Sequence, residues 1–392
     1  MRSSLAPRFQ PAGARVVPLE EVRGEPAWAA GLAGFAKDHR WYEIVADTLA
    51  ADFDCRALVL EDERGVAHVI QPLFLVDQDV LATAPRWVQQ IASALRKLAP
   101  RLLKLRILML GCAAGEGRIA GEDEPQRQAV LAAATEALAG AARHDGARLV
   151  VWKDFPAEDR PLFSGLTSKS GGAYTKVASM PATRLPLDFA SFDDYMERHL
   201  SRATRKNLRR KFRATRSVGL EMSAVTNVAD VVDEVLPLYE QVRARSKLQF
   251  ERLNREFLLQ LGERMPDRTR FFLWRLEGRL VAFSLCMVHE DAIYDEYLGL
   301  DYSVALDLHL YFVTFRDIFT WALGQGLKTY FSTPLNYEPK LHLGFSLVPL
   351  DLYAAQPNPL LNALLRRVLP WIQPARQEKA LQRFANAAEL EA

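Results

Sequence analysis

Residues 270–300 read RFFLWRLEGRLVAFSLCMVHEDAIYDEYLGL, and this stretch decides the fold. Three runs rich in apolar and aromatic residues, 270–276, 280–288 and 293–300, are separated by the turn sequences Glu277-Gly278 and Glu290-Asp291. Such runs joined by very short polar turns are typical of antiparallel hairpins. The stretch therefore predicts three consecutive antiparallel strands.

The same alternation of strands and helices continues on both sides of this stretch. The patterns predict helices over 28–50, 85–98, 126–144, 228–247, 255–265 and 305–323. They predict strands over 56–60, 67–75, 103–110, 148–152, 328–332 and 344–353. Elements that alternate in this way predict an α/β (α+β) fold with helices on both faces of a sheet.

The length of 392 residues is enough for two domains of ordinary size. A stretch rich in Pro, Gly and Ser, 156–190, predicts a linker at their boundary. We therefore expect a lead-in over 1–18, an N-terminal domain over 19–185, a C-terminal domain over 186–356 and a helical segment over 357–392. The two halves have similar element content, which favours a degenerate tandem duplication.

The composition is 49% hydrophobic and 25% charged, which excludes a disordered chain and a disulfide scaffold. The three cysteines show no metal-ligand spacing, so we expect no metal site. The sequence has no apolar run long enough for a membrane span and no secretory signal pattern, and these features predict a cytoplasmic protein. Peripheral contact with the inner face of the membrane stays open as an alternative.

The formal net charge of +2 conceals one strongly basic segment. Residues 196–216 contain nine Lys or Arg residues and one acid, Glu197, a local charge of +8, and Ser191 predicts the start of a single long helix through them. Most of these cations fall on one helical face, where like charges at i, i+4 repel. The pattern favours an anion-binding role over a merely solvated face, with Arg205, Lys206, Arg209 and Arg210 at its centre.

The strand over 293–300 carries acidic and phenolic residues on both of its faces, which is unusual for a core strand. The loop Asp301-Tyr302-Ser303 follows and leads into a helix that carries His309. The free N–H groups of a helix N-terminus offer a seat for a pyrophosphate. The alternative is that His309 and the tyrosines serve only packing. The Gly-containing stretch 111–117 is more typical of a plain turn than of a phosphate loop.

Four segments, 191–211, 278–288, 294–301 and 337–345, together resemble the GNAT-fold FemAB/FemX-like acyltransferases. The resemblance implies two tandem GNAT-like domains, each a mixed, mostly antiparallel sheet flanked by helices. It also implies transfer of an acyl group from acyl-CoA, or of an aminoacyl group from charged tRNA, to an amine. No tightly bound cofactor is implied.

Site residues follow from this resemblance and from the needs of acyl transfer. Lys340 would lie near the developing oxyanion or near the donor's phosphate. Asp295 or Glu338 would take the proton of the amine, and Tyr297 would protonate the leaving group. His309 completes the predicted catalytic set. The predicted donor-binding residues are Asp301, Tyr302 and Ser303, and Tyr337 joins the four central basic residues in binding an anionic substrate.

The sequence thus predicts an acyltransferase that uses acyl-CoA and acts on an amine of a small molecule or of a cell-envelope or polysaccharide precursor. One alternative is a FemX-like transferase that uses aminoacyl-tRNA. A second is a non-catalytic GNAT-fold protein that binds lipid or nucleic acid through 196–216; no DNA partner is expected. Residues 360–372, with Arg366 and Arg367, either close a domain or lie on a membrane surface.

Overall fold

The computed structural model describes residues 11–79, 104–167, 171–246, 250–369 and 373–391. The predicted helix over 85–98 lies outside these residues. The elements before residue 187 are β1 (Gly13–Pro18), α1 (Pro26–Ala30), α2 (His39–Thr48), β2 (Asp54–Glu61), β3 (Ala67–Asp79), β4 (Lys104–Leu110), α3 (Glu124–Asp145), β5 (Leu149–Pro156), α4 (Arg160–Phe163), β6 (Thr175–Ala178) and β7 (Ala182–Pro186).

The elements after residue 187 continue in chain order. They are α5 (Phe192–His199), α6 (Arg202–Thr215), β8 (Leu220–Val225), α7 (Val232–Arg243), α8 (Arg255–Arg264), β9 (Thr269–Leu276), β10 (Arg279–His289), β11 (Ala292–Leu300), α9 (Leu310–Gly324), β12 (Thr329–Ser332), α10 (Tyr337–His342), β13 (Ser346–Val348), β14 (Leu350–Ala355), α11 (Pro359–Val368) and α12 (Pro374–Gln377). None of the helices in these described segments is long and apolar enough to cross a bilayer.

The chain folds into two compact units. Unit 1 is built from segments within 1–34, 45–179 and 350–373, and unit 2 from segments within 35–44, 180–349 and 374–392. Among the described residues each unit contains one seven-stranded sheet, ordered β1-β2-β3-β4-β5-β14-β6 in unit 1 and β13-β7-β12-β11-β10-β9-β8 in unit 2. Each sheet is antiparallel except for one parallel pair, β4 with β5 and β11 with β12. This architecture confirms the predicted α/β (α+β) class.

The three strands predicted from residues 270–300 are present as β9, β10 and β11. Glu277 and Gly278 both have positive φ, 49° and 81°, in the first turn. Two successive residues in the left-handed region match the right-handed twist of the strands that the turn joins. The residues of this turn therefore favour the antiparallel pairing of β9 with β10.

The single long helix predicted from Ser191 is wrong, because the structure has two helices there. Leu200 is extended, with φ −99° and ψ 149°, and ends α5. The side chain of Ser201 then accepts a hydrogen bond from the backbone N–H of Thr204 and starts α6 as its N-cap. A second capping serine inside an otherwise continuous amphipathic pattern breaks the helix.

Three further predictions differ from the structure. The predicted strand over 344–353 is two strands, β13 in the sheet of unit 2 and β14 in the sheet of unit 1. The stretch predicted as a linker contains β6 and β7, and residues 13–18 of the predicted lead-in form β1, which pairs with β2. In each case the strand is stabilised by a partner that is distant in sequence, so a local pattern could not reveal it.

Candidate active site

The parallel pair of unit 2 ends part-way along β11. Pairing runs from Ala292 with Thr329 to Asp295 with Ser332, and β11 continues to Leu300 without β12 beside it. Just beyond the last pair, the N–H of Thr333 donates to the carbonyl of Asp295 at 3.3 Å. We call the place where β11 and β12 diverge the fork.

A β-bulge lies at the fork. Leu285 of β10 pairs with Tyr297, while the next residue, Cys286, pairs with Asp295, so Glu296 is the extra residue on β11. The bulge resets the alternation of side chains along the strand. Regular alternation of side chains predicts that Asp295 and Tyr297 lie on the same face of the strand. With the bulge between them, the two side chains instead bind different groups.

Asp295 is half-buried and forms a polar cluster with two buried hydroxyl groups. Its Oδ1 accepts a hydrogen bond from the hydroxyl of Ser284 at 2.5 Å, and its Oδ2 accepts one from the hydroxyl of Tyr330 at 2.8 Å. Burial, and after it the charge of Asp295, raises the pKa of Tyr330 well above its usual value. Tyr330 is therefore a protonated donor that holds one carboxylate oxygen in place.

Lys340 belongs to the same cluster. The residue is only 4% exposed, and its ammonium donates to the carbonyl of Thr333 at the fork. Burial lowers the pKa of Lys340 to about 7, while the negative charge of Asp295 acts in the opposite direction. Near neutral pH this side chain therefore exists in both its charged and its neutral form.

The local sequence turns Lys340 inward. Leu335 and Asn336 both have positive φ, 76° and 52°, and make the tight turn that starts the short helix α10. Tyr337 and Lys340, three residues apart on that helix, are both buried. The hydroxyl of Tyr337, predicted to bind an anion, donates to the carbonyl of Pro181 at 2.7 Å. It thus anchors the helix that carries Lys340.

A second anchor holds the other end of α10. The hydroxyl of Tyr195 on α5 donates to the carbonyl of Leu343 at 2.6 Å. The ring of Tyr195 packs against Phe319 of α9, with ring centroids 4.7 Å apart. Aromatic pairs of this kind stabilise a core beyond the apolar area that they bury. Helix α10 is thereby tied to the core of unit 2 at both ends.

Two predicted catalytic residues lie away from Lys340. Glu338 is on the exposed side of α10 and pairs with Arg383 at 2.5 Å. The hydroxyl of Tyr297 donates to Glu251 at 2.8 Å, and burial, followed by the charge of Glu251, raises the pKa of Tyr297 well above its usual value. The side chains of both residues thus have partners outside the cluster of Asp295 and Lys340.

The polar groups of the predicted donor-binding loop already have partners within unit 2. The carboxylate of Asp301 accepts from the N–H and the hydroxyl of Ser303, at 2.9 and 2.7 Å, and pairs with Arg279. Burial raises the pKa of Asp301, but these hydrogen bonds outweigh it and leave the pKa below its usual value. The N–H of Tyr302 donates to Gln241 at 3.0 Å. In this conformation these amides do not form a pyrophosphate seat.

His309 lies at the start of α9 with a positive φ of 50°. Burial, and then the positive charges of Lys211 and Arg210, lowers the pKa of His309. The ammonium of Lys211 lies 3.3 Å from the ring centroid of Phe312, in the first turn of α9. The basic helix α6 therefore lies beside the N-terminal end of α9.

Most cations of α6 are exposed. Arg202, Lys206, Arg210 and others face outward, whereas Leu208 is buried. Two of the predicted anion-binding residues are engaged with an acid, because Glu197 pairs with Arg205 at 2.9 Å and also with Arg209. Those pairs leave a surface that remains strongly positive, because one carboxylate faces several cations.

Residues 202–338 match the acetyltransferase (GNAT) domain family. That match runs from the start of α6 to the second residue of α10, and so spans the fork and the bulge. A crystal structure of FemX has the same fold with a TM-score of 0.52 and 10% identity, over 90% of this chain and 100% of that one. The chain therefore contains a segment that matches the GNAT acetyltransferase family, within a fold that it shares with FemX.

A tandem GNAT protein from the clavulanic acid biosynthesis pathway is also similar to this chain. Its TM-score is 0.47 at 10% identity, over 88% of this chain and 99% of that one. No curated protein matches the chain significantly. The FemX structure thus supports the fold, and the family match supports the enzyme class.

Unit 1 also has a parallel pair, but there the space beyond the last paired residues is filled by the polypeptide itself. Pairing of β4 with β5 ends at Leu110 with Trp152. Beyond it the N–H of Gly117 donates to the carbonyl of Asp154 at 3.0 Å. A Cβ atom at Gly117 would lie 2.3 Å from the carbonyl oxygen of Lys153, so only glycine fits there. The stretch 111–117 is therefore a turn packed into unit 1.

The sequence patterns did not predict several residues around the fork. Ser284 and Tyr330 bind Asp295 from two neighbouring strands, as described above. Glu296, the bulge residue, forms a nearly buried ion pair of 2.8 Å with Lys37. These partners are far apart in sequence and carry no local pattern. The only available signal was the strand itself, whose carboxylates are unusual in a core.

Proposed function

We propose that unit 2 transfers an acyl group to an amine, with Lys340 and Asp295 handling the proton. The observation that carries this proposal is a buried lysine with a pKa of about 7, within the electrostatic influence of Asp295 and hydrogen-bonded at the fork. The strands of that fork lie in the segment that matches the GNAT family. An amine nucleophile is protonated at neutral pH and must lose a proton before it attacks. A base with a pKa near the working pH is suited to that task.

The reaction would proceed as follows. Neutral Lys340 takes a proton from the substrate ammonium, and the freed amine attacks the acyl carbonyl carbon, forming a C–N bond and a tetrahedral oxyanion. The oxyanion collapses, the bond from carbon to the leaving sulfur or oxygen breaks, and the proton passes from the Lys340 ammonium to the leaving group. The nitrogen that has attacked still carries one proton too many, and it releases that proton to solvent to give the neutral amide. Asp295 favours the ammonium form of Lys340 between these steps. The catalytic roles of Tyr297, Glu338 and His309 stay predictions.

The donor that we propose is acyl-CoA, and the acceptor is an amine of a small molecule or of an envelope or polysaccharide precursor. The exposed cations of α6 would bind the phosphates of the donor or of an anionic acceptor. They lie beside the N-terminal end of α9, as the position of Lys211 against Phe312 shows. Side-chain cations would thus supply the positive charge that the amides of 301–303 do not offer.

One observation favours a second candidate, aminoacyl-tRNA as donor. The amides of Asp301, Tyr302 and Ser303 already donate to other groups of unit 2, so a compact pyrophosphate finds few donors there. A long row of exposed arginines and lysines suits an extended phosphate backbone. For this donor, activity should fall steeply as salt rises, because binding releases several counterions.

The deciding experiment is a turnover assay of Lys340→Met and Lys340→Arg with acyl-CoA and aminoacyl-tRNA donors. If Lys340 is the base, both variants lose on the order of 10²-fold or more in kcat, because neither methionine nor arginine can accept a proton at neutral pH. Lys328→Met, which changes an exposed lysine of the same unit, is the matched control. Undiminished turnover of Lys340→Met, in a folded protein, would refute the proposal.

A further inference from the structure

Helix α11 of unit 1 is oriented with polar side chains inward. Asn362, only 6% exposed, accepts a hydrogen bond from the N–H of Gln356 at 3.0 Å and donates to the carbonyl of Ala173 at 2.8 Å. One turn later, Arg366 donates to the carbonyl of Gly172 at 2.8 Å. An amphipathic helix of a soluble protein normally buries its apolar side instead.

The apolar side of α11 is exposed. The exposed fraction is 83% for Leu360, 48% for Leu361, 59% for Leu364 and 43% for Val368. At about 100° per residue these four side chains fall within an arc of about 100°. They form a continuous apolar stripe along the whole helix, and four neighbouring apolar side chains on one surface mark a contact site.

The size and charge of the stripe indicate what covers it. Four side chains of one short helix offer on the order of a few hundred Å², less than the roughly 800 Å² per partner of a specific protein interface. The helix, PLLNALLRRV, carries two arginines and no acidic residue, and Arg367 is exposed. A leucine stripe bordered by cations suits shallow insertion among acidic lipid headgroups.

We propose that α11 is an interfacial helix that docks unit 1 on a membrane surface containing anionic lipid. Leu360, Leu361, Leu364 and Val368 enter the boundary between headgroups and acyl chains, and Arg367 stays at the level of the lipid phosphates. Asn362 and Arg366 hold the helix to unit 1 on its other side. Because the contact is one short helix, docking is reversible and depends on lipid charge.

The test is co-sedimentation of the full chain with vesicles of phosphatidylcholine alone or mixed with phosphatidylglycerol. We expect binding to the mixed vesicles, at least about tenfold weaker binding of the double variant Leu360→Ser/Leu364→Ser, and weaker binding of Arg367→Gln. Val66→Ser is the matched control, because Val66 is a 53% exposed apolar residue elsewhere in unit 1. This variant should bind the vesicles like the wild type. Both leucines are exposed, so the double variant should keep its thermal midpoint.

Four results would each overturn the proposal. The first is absence of binding to the mixed vesicles, and the second is unchanged binding of the double variant, which would assign any binding to the cations of α6. The third is a concentration-dependent dimer in sedimentation velocity that the double variant abolishes, which would make a second copy the occupant. The fourth is a thermal midpoint of the double variant several degrees below the wild type, which would show that the stripe packs within the chain.

Discussion

The hydroxyl of Tyr330 on β12 donates to Oδ2 of Asp295 on β11, at 2.8 Å. This hydrogen bond joins the two strands at the place where they diverge. Because Ser284 holds the other carboxylate oxygen, Asp295 has little freedom to turn. A fixed carboxylate gives Lys340 a constant electrostatic environment, which a residue that exchanges protons requires.

The first prediction concerns the pH dependence of catalysis. The charge of Asp295 raises the pKa of Lys340 against the effect of burial. Asp295→Asn removes that charge, so the pKa of Lys340 falls further. Because the neutral form of Lys340 is the base, kcat/KM should rise with pH through this pKa, near pH 7 in the wild type. In Asp295→Asn the rise should occur at lower pH. The measurement is the pH profile of kcat/KM. A rise that stays in place or moves to higher pH would contradict the electrostatic coupling.

The second prediction concerns stability. The pKa of Lys340 is about 7 in the folded protein and near the ordinary 10.5 when unfolded, so the unfolded state binds more protons between these values. The free energy of unfolding therefore rises with pH over this interval. Below about pH 7 Lys340 is charged in the folded protein as well, and the full destabilisation from burying that charge is present. Lys340→Met should stabilise the protein by on the order of a few kcal/mol below pH 7, and this gain should vanish towards pH 10.5.

Urea unfolding at several pH values measures this effect. The control is Lys206→Met on α6, which changes an exposed lysine and should show no such pH dependence. If Lys340→Met were less stable than the wild type at every pH, the side chain would be contributing net stability, contrary to this account.

The third prediction concerns α6. Arg202, Lys206 and Arg210 follow one another at i, i+4, where like charges destabilise a helix by about 0.2–0.5 kcal/mol per pair. Lys206→Gln should therefore raise the thermal midpoint slightly and at the same time weaken binding of an anionic substrate. Arg205→Gln is the contrasting variant, because Arg205 pairs with Glu197 and its loss should not raise stability. Equal affinity of the wild type and Lys206→Gln across salt concentrations would count against a substrate role for this face.

The fourth prediction concerns the turn in unit 1. Gly117→Ala places a methyl group 2.3 Å from the carbonyl oxygen of Lys153, so the backbone must shift. We expect a loss of about 1–3 kcal/mol in the free energy of unfolding. Gly140→Ala, in the exposed interior of α3 with no atom within 4 Å of the new Cβ, should instead gain about 0.5–1 kcal/mol. Chemical denaturation of both variants checks this contrast, and a neutral Gly117→Ala would show that the turn is loosely packed.

The parts of the fold that could be predicted are those that short, local sequence patterns specify. The strands β9 to β11 were predictable because Glu277 and Gly278 specify the turn between alternating apolar runs. The bulge at Glu296 was not, because one extra residue is defined by its pairing with β10. The break at Leu200 was missed for a different reason: the amphipathic pattern continues through it, although Ser201 is a good N-cap.

The candidate site was predictable only in part. A lysine on a polar, Pro-bounded segment is ordinarily exposed, and its burial depends on the positive φ of Leu335 and Asn336. The resemblance to a known family singled out Lys340, and the unusual acidic strand singled out Asp295. Nothing local connects these two residues with Ser284 or Tyr330, because the strands that carry them are brought together by the sheet.

The position of β14 has a consequence for folding during synthesis. This strand lies between β5 and β6 in the sheet of unit 1, yet it is residues 350–355 of the chain. On the ribosome, β5 and β6 have both been made long before the strand that pairs with each of them. The edge of β5 that will bind β14 therefore stays uncovered while all of residues 180–349 are translated. A nascent chain of this protein depends for its solubility on how that edge is protected until the last strand arrives.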